Sequence, residues 1–264
     1  MFALSFMRHA FVASTLIAIL SGVIGVFVVA RQMSFMTHTL SEIGFAGGSF
    51  AVFAGWSSLN GMILFTVLSS VLVGQLSLKE SRREAVISAV SALFIGLGIL
   101  FLSLSSQTAS SATSILFGSV VGISITEVWQ LLWLTILILV AVFLMYRRLK
   151  FTSFDRDGAK VSAINETVIS ILFLLILAVS VSVTAQIVGS LLIFILLTLP
   201  AASAKYYTTG VAKMIGLAIL FSLLGTWLGL YLGYITNWPV SFFIAVIEVL
   251  IYLSALIYRH YQVN

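Results

Sequence analysis

Trp129-Gln130-Leu131-Leu132-Trp133-Leu134-Thr135-Ile136-Leu137-Ile138-Leu139-Val140-Ala141-Val142-Phe143-Leu144-Met145-Tyr146 carries no charge and ends on Arg147-Arg148. A run of about 20 mostly apolar residues is what an α-helix needs to cross the hydrocarbon core of a bilayer. The same pattern recurs along the chain, at roughly 10–30, 38–56, 58–78, 86–104, 116–146, 164–184, 186–204, 211–234 and 238–258. The second span is the least apolar at its start, where His38 and Glu42 stand. The fifth is too long for one straight crossing, and its first part, with Gly118 and Gly122, is read as a candidate separate short helix. The predicted fold is therefore all-α, a polytopic bundle of about 8–10 transmembrane helices, with residues 1–264 as a single membrane domain.

Composition supports the same solvent. Hydrophobic residues make up 61% of the chain and charged residues 8%, with a mean hydropathy of +1.21. A soluble domain carries roughly 25% charged residues, so this chain lacks the polar groups to coat a water-facing surface. Cysteine is absent, which excludes disulfides, thiolate metal sites and cysteine nucleophiles. The net charge is +5, but the basic residues are scattered through short loops, so nucleic acid is not an expected partner. The first span is not read as a cleavable signal, because no small-residue cleavage pattern is evident.

Scattered Lys and Arg report orientation. Arg31, the Lys79/Arg82/Arg83 group, the group from Arg147 to Lys160, Lys205 and Arg259 fall on one side when nine spans are drawn. That side is cytoplasmic, with the N-terminus outside; Arg8 is the exception. Glycines at 44 and 48, 118 and 122, and 225, 229 and 233 repeat every fourth residue, a spacing that lets helix backbones approach closely in lipid. Pro200 is read as a helix kink or terminator.

Two features carry potential chemistry. His38 and Glu42 stand four apart, on one face of a helix and one turn separated. Imidazole nitrogen with carboxylate oxygen suits Mn, Fe(II) or Zn, with Thr37, Ser41 and Asn60 as nearby helpers. On spacing alone, an interfacial pair that satisfies only itself explains them equally well. Glu248 lies in an apolar stretch between Ile247 and Val249, where an unpaired carboxylate is expected to neutralise. It either lines a pathway or, protonated, hydrogen-bonds another helix. Intramembrane Gln75, Gln130 and Gln186 read as helix–helix bonding residues.

Four segments together resemble the metal-type permease family of ABC importers. They are Phe6-Met7-Arg8-His9-Ala10 through Arg31-Gln32-Met33-Ser34-Phe35; Leu116-Phe117-Gly118-Ser119-Val120-Val121-Gly122; Tyr146-Arg147-Arg148-Leu149 with Phe154-Asp155 and Ala159; and Val188-Gly189-Ser190-Leu191-Leu192 with Leu199-Pro200-Ala201-Ala202-Ser203-Ala204. After the Arg-x-Met turn the family commonly has an aspartate and, four residues on, a histidine. Here the same positions hold His38 and Glu42, the ligand types kept and their order exchanged.

The resemblance implies a multi-pass permease subunit of the cell membrane that moves a divalent transition metal (manganese, zinc or iron) into the cytoplasm. It implies a metal transit site at His38 and Glu42 and no permanently bound cofactor; Glu248 is a metal candidate from its intramembrane position alone. It also implies a homodimer, a cytoplasmic ATPase subunit, and an extracellular or periplasmic metal-binding protein that delivers the ion. The permease itself is not expected to be an enzyme: no Walker A pattern occurs, so ATP hydrolysis would fall to a separate chain. The segment at about 147–162 becomes the expected ATPase coupling element, with Phe154, Asp155 and Ala159 as its contacts. A proton-coupled secondary transporter using Glu248, Glu42 and His38, or a non-transporting scaffold, is the alternative.

Overall fold

The computed structural model describes residues 5–76, 83–105, 114–118, 122–155, 158 and 165–263, and among them it is helical with no strand. Nine long helices follow in order: α1 Ser5–Ala30, α2 Ser34–Ala54, α3 Ser58–Leu76, α4 Arg83–Leu104, α5 Ile125–Phe154, α6 Glu166–Val188, α7 Ser190–Tyr207, α8 Val211–Thr236 and α9 Val240–Val263. Seven of them are long and apolar enough to cross a membrane: α1, α4, α5, α6, α7, α8 and α9. These helices wear their apolar surface outward. Phe143 and Leu144 of α5 are 80% and 77% exposed, an arrangement that costs nothing in lipid and a great deal in water. Within their most apolar stretches α1 is 67% buried and α6 61%, against 22% for α4 and α9, so α1 and α6 are interior helices.

Contacts group the chain into two units. One comprises Met1–Ser34, Ser119–Val140 and Phe194–Asn264. In it α1 packs against α8, and α8 against α9. Trp227 Nε1 donates to Thr15 Oγ1 at 3.1 Å, and its ring stacks on Phe11. The glycine stripe of α8 is a packing face, as its spacing suggests: Gly225, Gly229 and Gly233 meet Glu248, Ile244 and Val240 of α9 in antiparallel register. A Cβ on Gly229 would stand 2.5 Å from Ile244 Cγ1, so a glycine is required at that approach.

The other unit comprises Phe35–Gly118 and Ala141–Ile193. Here α3 packs against α6 through Thr66, whose Oγ1 lies 2.7 Å from Ser182 Oγ and 3.3 Å from the Ala178 carbonyl. Phe50, Phe65, Phe94 and Phe101 knit α2, α3 and α4 together, with ring centroids 5.2–5.5 Å apart for the three closest pairs. The tightest backbone approach is Gly47 of α2 on Gly61 of α3, where a Cβ at 47 would fall 2.3 Å from the Gly61 carbonyl oxygen. Many other Ser and Thr hydroxyls bond one turn back within their own helix, as in Ser49 to Phe45, Ser180 to Ile176, Thr198 to Phe194, Ser203 to Leu199 and Thr226 to Ser222.

Three readings of the sequence need correction. Gly118 and Gly122 are not on a helix: one turn at 114–117 ends at Gly118, whose φ is +74°. Its Cα sits against the α6–α7 junction, and a Cβ would lie 2.3 Å from the Ile187 oxygen. The junction residue, Gly189, also has positive φ, +88°. This close pairing of two backbones, not a helix face, is what the glycines serve. Second, Pro200 lies inside α7 and does not terminate it; nearby helices and side chains can re-satisfy the carbonyl a membrane proline frees. Third, α5 runs to Phe154, about two turns past the end of its apolar run. Leu149 and Thr152 of those turns are buried while Arg147, Arg148 and Lys150 are exposed, so these turns are amphipathic helix.

Candidate functional site

The approach to the site is a helix stop. Gln32 adopts φ +57°, its N–H bonds the Val29 carbonyl at 3.2 Å, and the Met33 N–H bonds Val28 at 2.9 Å. This 5→2 and 6→1 pair is a Schellman cap. It closes α1, and α2 begins two residues later at Ser34.

His38 and Glu42 stand on the second and third turns of α2. His38 Nδ1 and Glu42 Oε1 are 3.5 Å apart, and the side chains remain 44% and 28% exposed. The pair is thus reachable, unlike the buried Thr37 and Ser41 beside it. The Ser41 hydroxyl donates to the Ser190 carbonyl at the start of α7, which ties α2 down. Asn60 is not a helper. Gly47 meets Gly61, so Asn60 lies level with residue 48 of α2, six residues or about 9 Å along the axis from Glu42.

One partner was not legible in the sequence. Ser91 Oγ, from α4, donates to Glu42 Oε2. That bond fixes the carboxylate's rotation and leaves Oε1 turned to His38. A serine in an apolar helix carries no spacing signal, so only the packing of α4 beside α2 reveals it. Among the described residues no group of three or more His, Cys, Asp or Glu side chains converges. The pair can therefore supply two ligands, the remaining coordination coming from water or carbonyl oxygens.

Glu248 belongs to the other unit. Its side chain is fully buried, with Oε1 pressed onto Gly225, and among the described residues neither carboxyl oxygen has a hydrogen-bond partner. The bond to another helix that one reading offers is not made. At the far end of α5, Phe154 is 38% exposed and Asp155 follows directly. Asp155 Oδ1 accepts from the Gly158 N–H at 3.0 Å. Ala159, like Arg156, Asp157 and Lys160, lies outside the described residues.

The described helices form a membrane bundle that carries an accessible imidazole–carboxylate pair on α2. A model of the ABC 3 transport family matches residues 3–259, and the chain belongs to that family. A probable metal transport system membrane protein of Treponema pallidum is 31% identical, the match covering 94% of this chain and 93% of that one. A manganese transport system membrane protein of Listeria monocytogenes is 29% identical over 98% and 92% of the two chains. Among solved structures, PsaBC from Streptococcus pneumoniae in complex with Fab superposes with a TM-score of 0.86 at 26% identity, covering 96% of this chain and 91% of that one.

Proposed function

We propose that this chain is the membrane subunit of an ATP-binding-cassette importer that carries a divalent transition metal inward, manganese before zinc or iron(II). The observation that carries the reading is the His38–Glu42 pair, 3.5 Å apart and reachable on α2, in a chain of this family. Imidazole and carboxylate together suit such ions, and selectivity among them is set by geometry, ligand type and supply rather than by raw affinity. The relatives named for manganese favour that ion first. Two side-chain ligands leave the ion partly hydrated, which suits transit because an ion held by a full cage does not leave. Ser91 orients the carboxylate as an outer hydrogen-bond donor does at metal sites generally.

The permease does no covalent chemistry. A separate ATPase chain supplies the work, two copies of the permease form the pathway, and an external metal-binding protein delivers the ion. Residues 1–264 act as one permease domain, with the segment at about 147–162, which begins on α5, as the coupling element. α5 has 30 residues, or about 45 Å, against roughly 30 Å of hydrocarbon, so its end stands clear of the membrane. Phe154 is the apolar contact there and Asp155 a charged one. The deciding experiment is manganese uptake into proteoliposomes with and without the cognate ATPase. Uptake that needs ATP and the ATPase supports the reading; uptake driven by a proton gradient without the ATPase overturns it in favour of a secondary transporter.

A further inference from the structure

Where α1 and α5 begin, the molecule has a cleft of about 430 Å³, within the size range of ligand clefts, roughly 300–1,000 Å³. Arg8, His9 and Val12 line it from α1, and Val128, Trp129 and Leu132 from α5. The two helices start side by side, since His9 Nδ1 lies 3.3 Å from the Ile123 carbonyl just ahead of α5. Both therefore run inward from the same end. The cleft is apolar over nearly all its lining, from Ile125 at the start of α5 to Val12 and Leu132 one to two turns deeper, and Arg8 and His9 stand at its α1 end. Two positively polarised helix N-termini add to the charge of Arg8 at that end.

No acid answers Arg8 there. Among the described residues no carboxylate pairs with it. The nearest in sequence on α5, Glu127, accepts from the Ser124 N–H at 2.8 Å and from its hydroxyl at 2.7 Å, a capping box. Helical spacing puts Glu127 on the face of α5 opposite Val128, Trp129 and Leu132. Arg8 is also the one basic residue of the thirteen that the orientation reading leaves on the outer side. An uncompensated arginine at the head of a greasy cleft, with an exposed tryptophan about one turn into α5, has the chemistry of a lipid seat.

We propose that this cleft binds one phospholipid of net negative charge, its phosphate on Arg8 and an acyl chain along Val12, Val128, Trp129 and Leu132. A free phosphate does not fit, because all but the mouth is hydrocarbon. A zwitterionic lipid fits less well, because no carboxylate lines the cleft to receive its cation. The inference is independent of which ion is transported.

The test uses the full chain, purified in detergent and stripped of lipid, with phosphatidylglycerol, phosphatidylcholine or inorganic phosphate added. Retained lipid is read by native mass spectrometry and protection by thermal unfolding. Arg8→Gln and Val12→Trp both change exposed positions, and each variant is first confirmed monodisperse. One basic side chain near a membrane surface is worth about fivefold in binding an anionic lipid. Arg8→Gln should thus weaken phosphatidylglycerol about fivefold and phosphatidylcholine by less, while Val12→Trp fills the cleft and weakens both. Equal retention of phosphatidylglycerol by wild type and both variants overturns the proposal. So does equal binding of the two lipids by wild type, equal protection by inorganic phosphate, or a second copy of the chain covering the cleft in place of lipid.

Discussion

Replacing Gly47 by alanine tests the tightest backbone approach in the molecule. The new Cβ would lie 2.3 Å from the Gly61 carbonyl oxygen and 2.8 Å from Met62 Cα. An ordinary C···O contact is about 3.3 Å, so α2 and α3 must part by about 1 Å. Both obstructing atoms are backbone, so no rotamer change relieves the overlap. A radial gap of that size forfeits a quarter to a half of the attraction between atoms that were in contact, and overpacking of this kind typically costs about 1–3 kcal/mol. For a chain of this length that is a fall in melting temperature of about 2–4 °C per kcal/mol. Gly61→Ala meets the reciprocal obstacle, with its Cβ 2.2 Å from the Gly47 oxygen. Once one alanine has parted the helices the second has less to push against, so the double variant should lose less than the two singles added. Gly96→Ala on α4 is the control, since nothing lies within 4 Å of its Cβ; it should be neutral or slightly stabilising. Thermal unfolding of wild type and the four variants, purified in one detergent, decides the matter. The reasoning is refuted if Gly47→Ala melts with wild type and Gly96→Ala, or if the double variant is fully additive.

His38→Ala and Glu42→Ala should each abolish metal uptake with normal insertion, while the exchanged pair, Asp at 38 and His at 42, should keep part of it because the ligand types are retained; wild-type uptake by both alanine variants would remove the pair from the path. Ser91→Ala frees the Glu42 carboxylate to rotate and should weaken metal binding about tenfold, read as a raised KM for uptake at unchanged maximal rate. Glu248→Gln should be nearly silent, because the amide keeps a donor and an acceptor in the same shape and no partner among the described residues depends on the acid; normal expression with severely reduced uptake would instead make Glu248 a pathway residue. Phe154→Ala should reduce ATPase co-purification without affecting folding, and co-purification at wild-type yield would count against the coupling role.

Hydropathy placed the helices well because crossing a bilayer demands length and apolar composition together, and few other structures meet both. Its failures are as physical. Apolar runs mark where the membrane stops, not where the helix stops, so α5 continues through Tyr146-Arg147-Arg148-Leu149-Lys150, residues that tolerate or favour helix. α2 is a full helix of 21 residues although it is not among those apolar enough to be counted as crossing by composition. The pair at 38 and 42 was visible because a helix brings fourth neighbours together, and a local rule needs no tertiary knowledge. Ser91 was invisible because it comes from another helix and a lone serine has no signature. The glycine spacing identified 225, 229 and 233 correctly but pointed to 44 and 48 on α2, where the true approach is at 47. Spacing tells which residues share a face, while the partner helix decides which of them it touches.

The hydroxyls that bond within their own helices have a further consequence. A serine satisfied by the carbonyl one turn behind it asks nothing of its neighbour, so two such faces can slip past one another without breaking a hydrogen bond. The exceptions act as latches: Thr66 on Ser182, Ser41 on the Ser190 carbonyl, Ser91 on Glu42, and Trp227 on Thr15. Among the described residues these bonds concentrate resistance to shear at a few points, which any sliding of one helix past another has to release.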